Sequence, residues 1–106
     1  MIKNLPYDRS ERVADAIFEV VSEAVNNRLA DPRVKGVRIT RVSVTRDLRT
    51  ARVCYHLGSL PESARVHAQK GLVSAAGFLK RRIGGELELK FMPEIVFYYD
   101  EGVDTG

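Results

Sequence analysis

The chain has 106 residues, of which 44% are hydrophobic and 29% charged, and its formal net charge is +3. These values predict one globular domain with its own core and exclude a chain that is disordered throughout. No apolar run approaches the roughly 18 residues needed to cross a bilayer, and the polar first ten residues lack a signal-peptide pattern. The single cysteine excludes an intramolecular disulfide. We therefore expect a cytoplasmic, single domain over residues 1–106, with an ordered core at about 8–101.

Charge is distributed unevenly along the chain. Residues 31–60 carry seven basic and two acidic side chains and residues 62–83 carry five and one, whereas residues 8–30 and 84–106 are net acidic. A basic block between acidic flanks suggests a polyanionic partner. On charge alone, an ordinary solvated basic surface explains the pattern equally well.

Residues 8–29 have the pattern of an amphipathic helix. Asp8 and Glu11 are spaced as the two partners of a capping box, and Asp31-Pro32 ends the helix because proline disfavours a helical backbone in the residue before it. The apolar positions that recur at the helical period are Val13, Ile17, Val20, Val21, Ala24 and Leu29.

Two strands are predicted next. Val37 and Ile39 alternate with polar residues, and Val42 and Val44 continue with the opposite parity, which indicates a β-bulge near Thr40–Arg41 or a strand buried on both faces. The second run alternates cleanly, with Ala51, Val53, Tyr55 and Leu57 on one face. The polar segment Arg46-Asp47-Leu48-Arg49 between the two runs predicts a hairpin turn.

A second helical region keeps one apolar face in phase from Ala68 to Ile83. Gly77 lies within it, where glycine costs about 1 kcal/mol relative to alanine, so we predict a kinked helix pair with its break at Ala75-Ala76-Gly77. Gly84-Gly85 is predicted to end the pair, and an extended segment follows from Leu87 to Tyr99. The order α-β-β-α-α-β predicts an α+β domain whose three-stranded sheet packs on helices.

Cys54 and His56 form the one candidate catalytic pair, because alternate residues of a strand share a face. No third orienting group accompanies them, and two histidines with one cysteine give no metal-ligand spacing. His67 is expected at the surface, and the acidic residues from Glu94 to Asp104 are expected to be solvated. Since Walker-type, dinucleotide-binding and hydrolase motifs are also missing from the sequence, we predict no enzyme activity, no cofactor and no metal.

The solvent face of the helix pair is predicted to be basic. Glycine allows a phosphate backbone to approach closely, and helix bends offer N–H groups to phosphates. At 100° per residue, the positions opposite the apolar face are Lys70, Ser74, Gly77 and Arg81, with Lys80 and Arg82 flanking them. The hairpin adds Arg38, Arg41, Arg46, Arg49 and Arg52. Our predicted RNA-binding residues are Arg46, Arg49, Lys70, Ser74, Ala75, Ala76, Gly77, Lys80, Arg81 and Arg82. Phe78 is expected to pack in the core rather than to stack on a base. Ordinary solubilising charge remains the alternative for any single one of these cations.

The element order resembles the type II KH fold, an RNA-binding module, with Ala75-Ala76-Gly77 in place of the usual G-x-x-G loop. Over residues 8–101 the sequence is similar to the ribosome-binding factor A family. The segments that carry this resemblance are Arg12-Val13-Ala14, Asp31-Pro32-Arg33, residues 42–49, residues 74–80, Met92-Pro93-Glu94-Ile95 and residues 97–101.

The resemblance implies a bacterial factor that binds the immature small (30S) ribosomal subunit and its 16S rRNA. It would assist late rRNA processing and maturation, a need greatest in the cold, as a monomer without cofactor, turnover chemistry or membrane contact. It further implies a late-assembly GTPase as a partner in release. Reversal of Lys80, Arg81 and Arg82 to glutamate is predicted to abolish subunit binding without unfolding the domain.

Two departures from the family pattern lead to further expectations. Gly71 stands where a better helix former is expected, which predicts a loosened first half of the helix pair. The chain ends at Gly106 where many relatives carry a charged tail, which predicts weaker subunit binding if that tail contributes to it.

Two alternatives to this function stay open. The first is a KH-like domain that binds other single-stranded RNA. The second is a protein-interaction domain that uses the acidic face of the first helix or the acidic C-terminal strand.

Overall fold

The computed structural model describes residues 8–102. Its elements are α1 (Arg9–Asn27), a 3₁₀ turn (Pro32–Val34), β1 (Arg38–Val44), β2 (Thr50–His56), α2 (Ser63–Ser74), α3 (Ala76–Glu86) and β3 (Glu94–Tyr99). This order confirms the predicted α-β-β-α-α-β domain, and β2 is the central strand, antiparallel to β1 and parallel to β3. The predicted domain of residues 1–106 extends past the described residues at both ends, and Asp104 lies outside them.

Helix α1 starts at the predicted capping box. The Asp8 carboxylate accepts a hydrogen bond from the Ser10 N–H at 3.2 Å, and the Glu11 carboxylate accepts one from the Asp8 N–H at 3.2 Å. Ile17 and Val21, on the predicted apolar stripe, are completely buried. The capping prediction is therefore confirmed, and the stripe holds α1 against the sheet.

The predicted bulge is confirmed at Thr40, because the pairing of β1 with β2 shifts register between Ile39 and Arg41. The alternative of a strand buried on both faces is wrong, since Arg41 is exposed. The Thr40 hydroxyl donates to the Asp100 carboxylate at 2.7 Å, and the Gly102 N–H donates to the same carboxylate at 3.0 Å. These hydrogen bonds, the one from Thr40 first, hold the pKa of Asp100 below its ordinary value of 3.8.

We expect the free energy of unfolding to depend less on pH below neutrality in Asp100→Asn than in wild type. A carboxyl group whose pKa is lower in the folded state stabilises the fold above its unfolded pKa, and this contribution is lost as the pH falls through the folded pKa. Between neutral pH and about pH 3, wild type should therefore lose more of its free energy of unfolding than Asp100→Asn. Urea melts across this range measure the difference, with the exposed carboxylate variant Glu88→Gln as the control. Equal acid slopes for wild type and Asp100→Asn would contradict the assignment.

The helices cover one face of the sheet and leave the other open within residues 8–102. Alternate strand residues point into the helix side, where they form the core with the apolar stripes of the helices; the buried strand residues are Ile39, Ala51, Val53, Tyr55, Ile95 and Phe97. On the opposite face, the exposed residues include Arg38, Arg41, Ser43, Arg52, Glu94 and Tyr98. The sheet therefore has an uncovered face that carries three arginines.

The expectation that Gly71 loosens the helix pair is wrong. Gly71 is buried, and a Cβ atom added to it would lie 2.8 Å from Val34 Cγ1 and 3.1 Å from Arg33 Cβ. Helix α2 thus approaches the 3₁₀ turn so closely that even a methyl group at this position would require Val34 or Arg33 to shift. The local preference for a better helix former yields to this contact between two elements.

The predicted end of the helix pair at Gly84-Gly85 is also wrong, because α3 continues through both glycines to Glu86. The Leu87 N–H donates to the Ile83 carbonyl at 2.8 Å, and Ile83 is completely buried. Burial of this turn offsets the helix-breaking tendency of the glycines, each of which costs about 1 kcal/mol relative to alanine. The extended segment predicted from Leu87 becomes a strand only at Glu94.

Candidate nucleic-acid interface

The predicted break between the paired helices is present. Helix α2 ends at Ser74, Ala75 has φ −85° and ψ −3°, and α3 starts at Ala76. The Ala75 N–H still donates to the Gly71 carbonyl, and the Leu79 N–H donates to the Ala75 carbonyl, both within 3.0 Å. Ala75, rather than Gly77, is therefore the residue at the bend. No side chain caps the start of α3, and the N-terminal end of a helix favours negative charge.

Four predicted site residues form a continuous solvent face across this break. Lys70, Ser74, Gly77 and Arg81 are all exposed. A Cβ atom added to Gly77 would meet only Arg81 Nη1, at 3.8 Å, which places the Arg81 guanidinium beside the glycine. Ala75 and Ala76 are half-buried, as is Phe78, which packs against the core as predicted. We call Lys70, Ser74, Gly77 and Arg81 the break face.

Lys80 and Arg82 differ from Arg81 because each has an acidic partner from another element. Lys80 Nζ lies 3.4 Å from Glu94 Oε1, and Arg82 Nη2 lies 3.1 Å from Glu23 Oε1. Both side chains are about two-thirds buried, at 32% and 35% exposure. Arg82 Nε is buried without a hydrogen-bond partner among the described residues. We therefore expect charge reversal at these two positions to cost stability as well as any binding.

The turn between β1 and β2 carries the other two predicted site residues. The Arg46 side chain is 92% exposed and lies 3.9 Å from the Asp8 carboxylate, too far for a strong ion pair. Arg49 is exposed, and its carbonyl accepts from the Glu94 N–H at 2.8 Å. Because Glu94 also binds Lys80, it joins the turn to α3. In the described part of the chain, however, no hydrogen bond or ion pair links the turn arginines to the break face.

Asp47 fixes the shape of this turn. Its carboxylate accepts from the Thr45 hydroxyl at 2.8 Å and from the Arg49 N–H at 3.0 Å. These bonds, with the hydroxyl contributing most, lower the pKa of Asp47 below 3.8. The carboxylate is thus engaged within the turn, and the positive charge of the neighbouring arginines faces outward.

Several further cations lie at surfaces outside the break face. Arg38, Arg41 and Arg52 share the uncovered face of the sheet. Arg9 and Lys90 lie beside Arg49 around a recess next to the turn. Arg9, Arg49 and Lys90 come from three separate parts of the chain, so no local pattern could have grouped them.

The candidate pair of Cys54 and His56 shares a strand face as predicted, without the geometry of a nucleophile and its base. The His56 Nδ1 accepts from the Gly58 N–H at 2.8 Å, and its ring packs 5.1 Å from that of Tyr99. His67 is exposed, as predicted. Over residues 8–102, no three His, Cys, Asp or Glu side chains converge as a metal site would require. None of the helices in this range combines the length and apolar character of a membrane span.

The strand pairing, the uncapped break and its basic solvent face define an α+β domain of the type II KH-like class with a candidate nucleic-acid surface. A sequence model of the ribosome-binding factor A family matches residues 9–106 of this chain. The chain belongs to the ribosome-binding factor A family.

Individual relatives agree with this assignment. The chain is 45% identical over 100 residues to the ribosome-binding factor A of Geobacter sulfurreducens, a match that covers 94% of this chain and 84% of that protein. It is 41% identical over 98 residues to the ribosome-binding factor A of Enterococcus faecalis, with 92% and 84% covered. The crystal structure of ribosome-binding factor A from Thermus thermophilus superposes with a TM-score of 0.71 at 17% identity, covering 85% of this chain and 94% of that one. That structure supports the fold.

Proposed function

We propose that this protein binds the immature small (30S) ribosomal subunit through its 16S rRNA and assists late processing and maturation of that RNA, including at low temperature. Its relatives are named as ribosome-binding factors, which supports the ribosome as the target. The observation that carries the proposal is the break face, where Lys70 and Arg81 are exposed and form no ion pair within the described residues, on either side of a glycine.

The break face suits a phosphate backbone. Lysine and arginine side chains neutralise phosphates and release counterions, which gives affinity with little sequence information. Gly77 has no side chain to keep an RNA strand away, and the N-terminal end of α3, which no side chain caps, favours negative charge. Recognition would then depend mainly on the shape of the RNA and on a site assembled by the subunit.

The protein would act by binding alone. The His56 Nδ1 is occupied by the Gly58 N–H, which leaves Cys54 without a general base on its strand. We propose accordingly a non-catalytic, cofactor-free and monomeric cytoplasmic factor, whose release from the matured subunit involves a late-assembly GTPase.

The test is co-pelleting of the purified protein with immature small subunits, mature small subunits and large subunits, each at low and moderate salt. We expect the protein to pellet with small subunits, most with the immature ones, and to be released as the salt concentration rises, because phosphate contacts depend on counterion release.

Two outcomes would contradict the proposal. Tight binding to unrelated single-stranded RNA without preference for assembled subunits would indicate a general KH-like RNA-binding domain. Salt-independent binding to a protein, with no RNA retained, would indicate an interaction domain.

A further inference from the structure

A recess lies beside the β1–β2 turn, at the start of α1. Its volume is about 200 Å³, which is below the range of about 300–1,000 Å³ typical of pockets for drug-sized ligands. The recess therefore suits a single planar group rather than a helix or a folded RNA element. Its walls include Arg9, Leu48, Arg49, Leu89, Lys90 and Phe91.

The recess is positively charged. Arg9, Arg49 and Lys90 are exposed, and none of them forms an ion pair with another residue of the range 8–102. The one carboxylate at the recess belongs to Asp47, which already accepts from the Thr45 hydroxyl and the Arg49 N–H. Three cations thus remain available to a ligand that brings negative charge.

The recess also has an apolar wall that is open to solvent. Phe91 is 65% exposed, more than any other large hydrophobic residue in the described part of the chain, and Lys90 Nζ lies 5.7 Å from its ring centroid. Leu48 and Leu89 are half-buried and pack against the core. An aromatic ring beside cations is the combination that binds bases of single-stranded nucleic acid, since the ring stacks on the base and the cations neutralise its phosphates.

Leu48, in the apolar wall of the recess, has a backbone conformation that is unfavourable for leucine. Leu48 has φ 63°, in the left-handed region that L-residues rarely adopt. Glycine or asparagine would adopt this conformation more easily. The leucine side chain instead fills the space between the core and the recess.

We propose that this recess binds one unpaired nucleotide of RNA, with its base stacked on Phe91 and its flanking phosphates held by Arg9, Arg49 and Lys90. The proposal rests on the proposed RNA-binding function and adds a base-binding site to the backbone contacts of the break face. The nucleotide is unpaired because a base within a duplex has both faces stacked on its neighbours. An acidic peptide would satisfy the cations but would leave the phenyl ring exposed.

The chain contains no tryptophan, so Phe91→Trp introduces a single fluorescent reporter at the site. The matched control is Leu60→Trp, in the loop between β2 and α2 and away from the break face, where the native side chain is 46% exposed. The probes are a short single-stranded oligoadenylate, a duplex RNA of the same length, and heparin, a polyanion without bases. We expect oligoadenylate to quench the fluorescence of the Phe91→Trp variant and to leave that of the Leu60→Trp variant unchanged. Duplex RNA and heparin should leave the Phe91→Trp variant largely unquenched.

Affinity measurements provide the second arm. Stacking contributes about 1–3 kcal/mol per base, so Phe91→Ala should weaken oligoadenylate binding by about 5- to 150-fold, whereas Leu60→Ala, at another exposed apolar position, should not. Phe91→Trp should retain the affinity of wild type. Because Phe91 is exposed, thermal melts should show each variant folded.

Three results would overturn the proposal: equal quenching of the Phe91→Trp variant by heparin and oligoadenylate, unchanged affinity of Phe91→Ala, or displacement of oligoadenylate by an acidic peptide with equal affinity. Co-pelleting separates this failure from that of the proposed function. If wild type still pellets with small subunits, only the proposal of a base-binding site fails. If wild type does not pellet, the proposed function itself fails.

Discussion

Gly71→Ala should destabilise the protein, although alanine is the better helix former. The added Cβ would lie 2.8 Å from Val34 Cγ1 and 3.1 Å from Arg33 Cβ. Val34 is 3% exposed and β-branched, so it has little freedom to move away. Overpacking of this kind costs about 1–3 kcal/mol and acts against a helix-propensity gain of about 1 kcal/mol. We expect a net loss of about 1 kcal/mol, or roughly 4 °C in Tm.

Gly85→Ala is the matched control in the neighbouring helix. A Cβ atom there would meet nothing within 4 Å, so the propensity term acts alone and stability should rise by up to about 1 kcal/mol. Urea melts of both variants provide the comparison. Shifts of the same sign would show that the contact between α2 and the 3₁₀ turn is not tight.

A double-mutant cycle then identifies the contact. Val34→Ala removes the Cγ1 atom that the new Cβ would meet, so Gly71→Ala should cost less in that background than in wild type. Equal costs in the two backgrounds would place the strain elsewhere, at Arg33 or in the helix itself.

Lys70→Glu/Arg81→Glu should remove most subunit binding while leaving the fold intact. Both side chains are exposed on the break face and lack an acidic partner within residues 8–102, so the free energy of unfolding should change by less than about 0.5 kcal/mol. Co-pelleting should weaken by at least about tenfold, and the slope of log affinity against log salt should fall by about one for each side chain that contacts a phosphate.

The control for net charge is Arg12→Glu/Lys35→Glu, which makes the same change in charge at two exposed positions outside the predicted site. Equal losses of binding in the two double variants would mean that only overall charge matters. Unchanged binding of Lys70→Glu/Arg81→Glu, with melts showing a folded protein, would exclude the break face as the interface.

Reversal of Lys80, Arg81 and Arg82 to glutamate is a less informative experiment than the sequence suggested, because Lys80 and Arg82 form ion pairs. Glutamate at these positions would face Glu94 and Glu23 in place of the ion pairs at 3.4 and 3.1 Å. Breaking a partly buried ion pair leaves an uncompensated charge. Loss of binding in the triple variant would therefore combine a lost contact with a damaged fold, and Lys70 with Arg81 gives the cleaner test.

Features that depend on neighbours in the chain were predictable from the amino-acid sequence. The capping box at Asp8 and Glu11 is a local pair of hydrogen bonds, the bulge at Thr40 follows from a change in side-chain parity, and the helix break falls within the predicted Ala75-Ala76-Gly77. The family resemblance was also contained in the order of short motifs, and the matched family model confirms it.

The packing of separate elements, in contrast, established which cations are free and where a glycine is required. Arg82 donates a hydrogen bond to Glu23, which lies 59 residues away in the chain. Gly71 is buried against the 3₁₀ turn that precedes the sheet. Helix α3 runs through two glycines because Ile83 is buried. The recess at Phe91 brings together residues from α1, the β1–β2 turn and the segment before β3. Periodicity predicts which face of an element is buried, but the partner of each side chain depends on how distant parts of the chain meet in the fold.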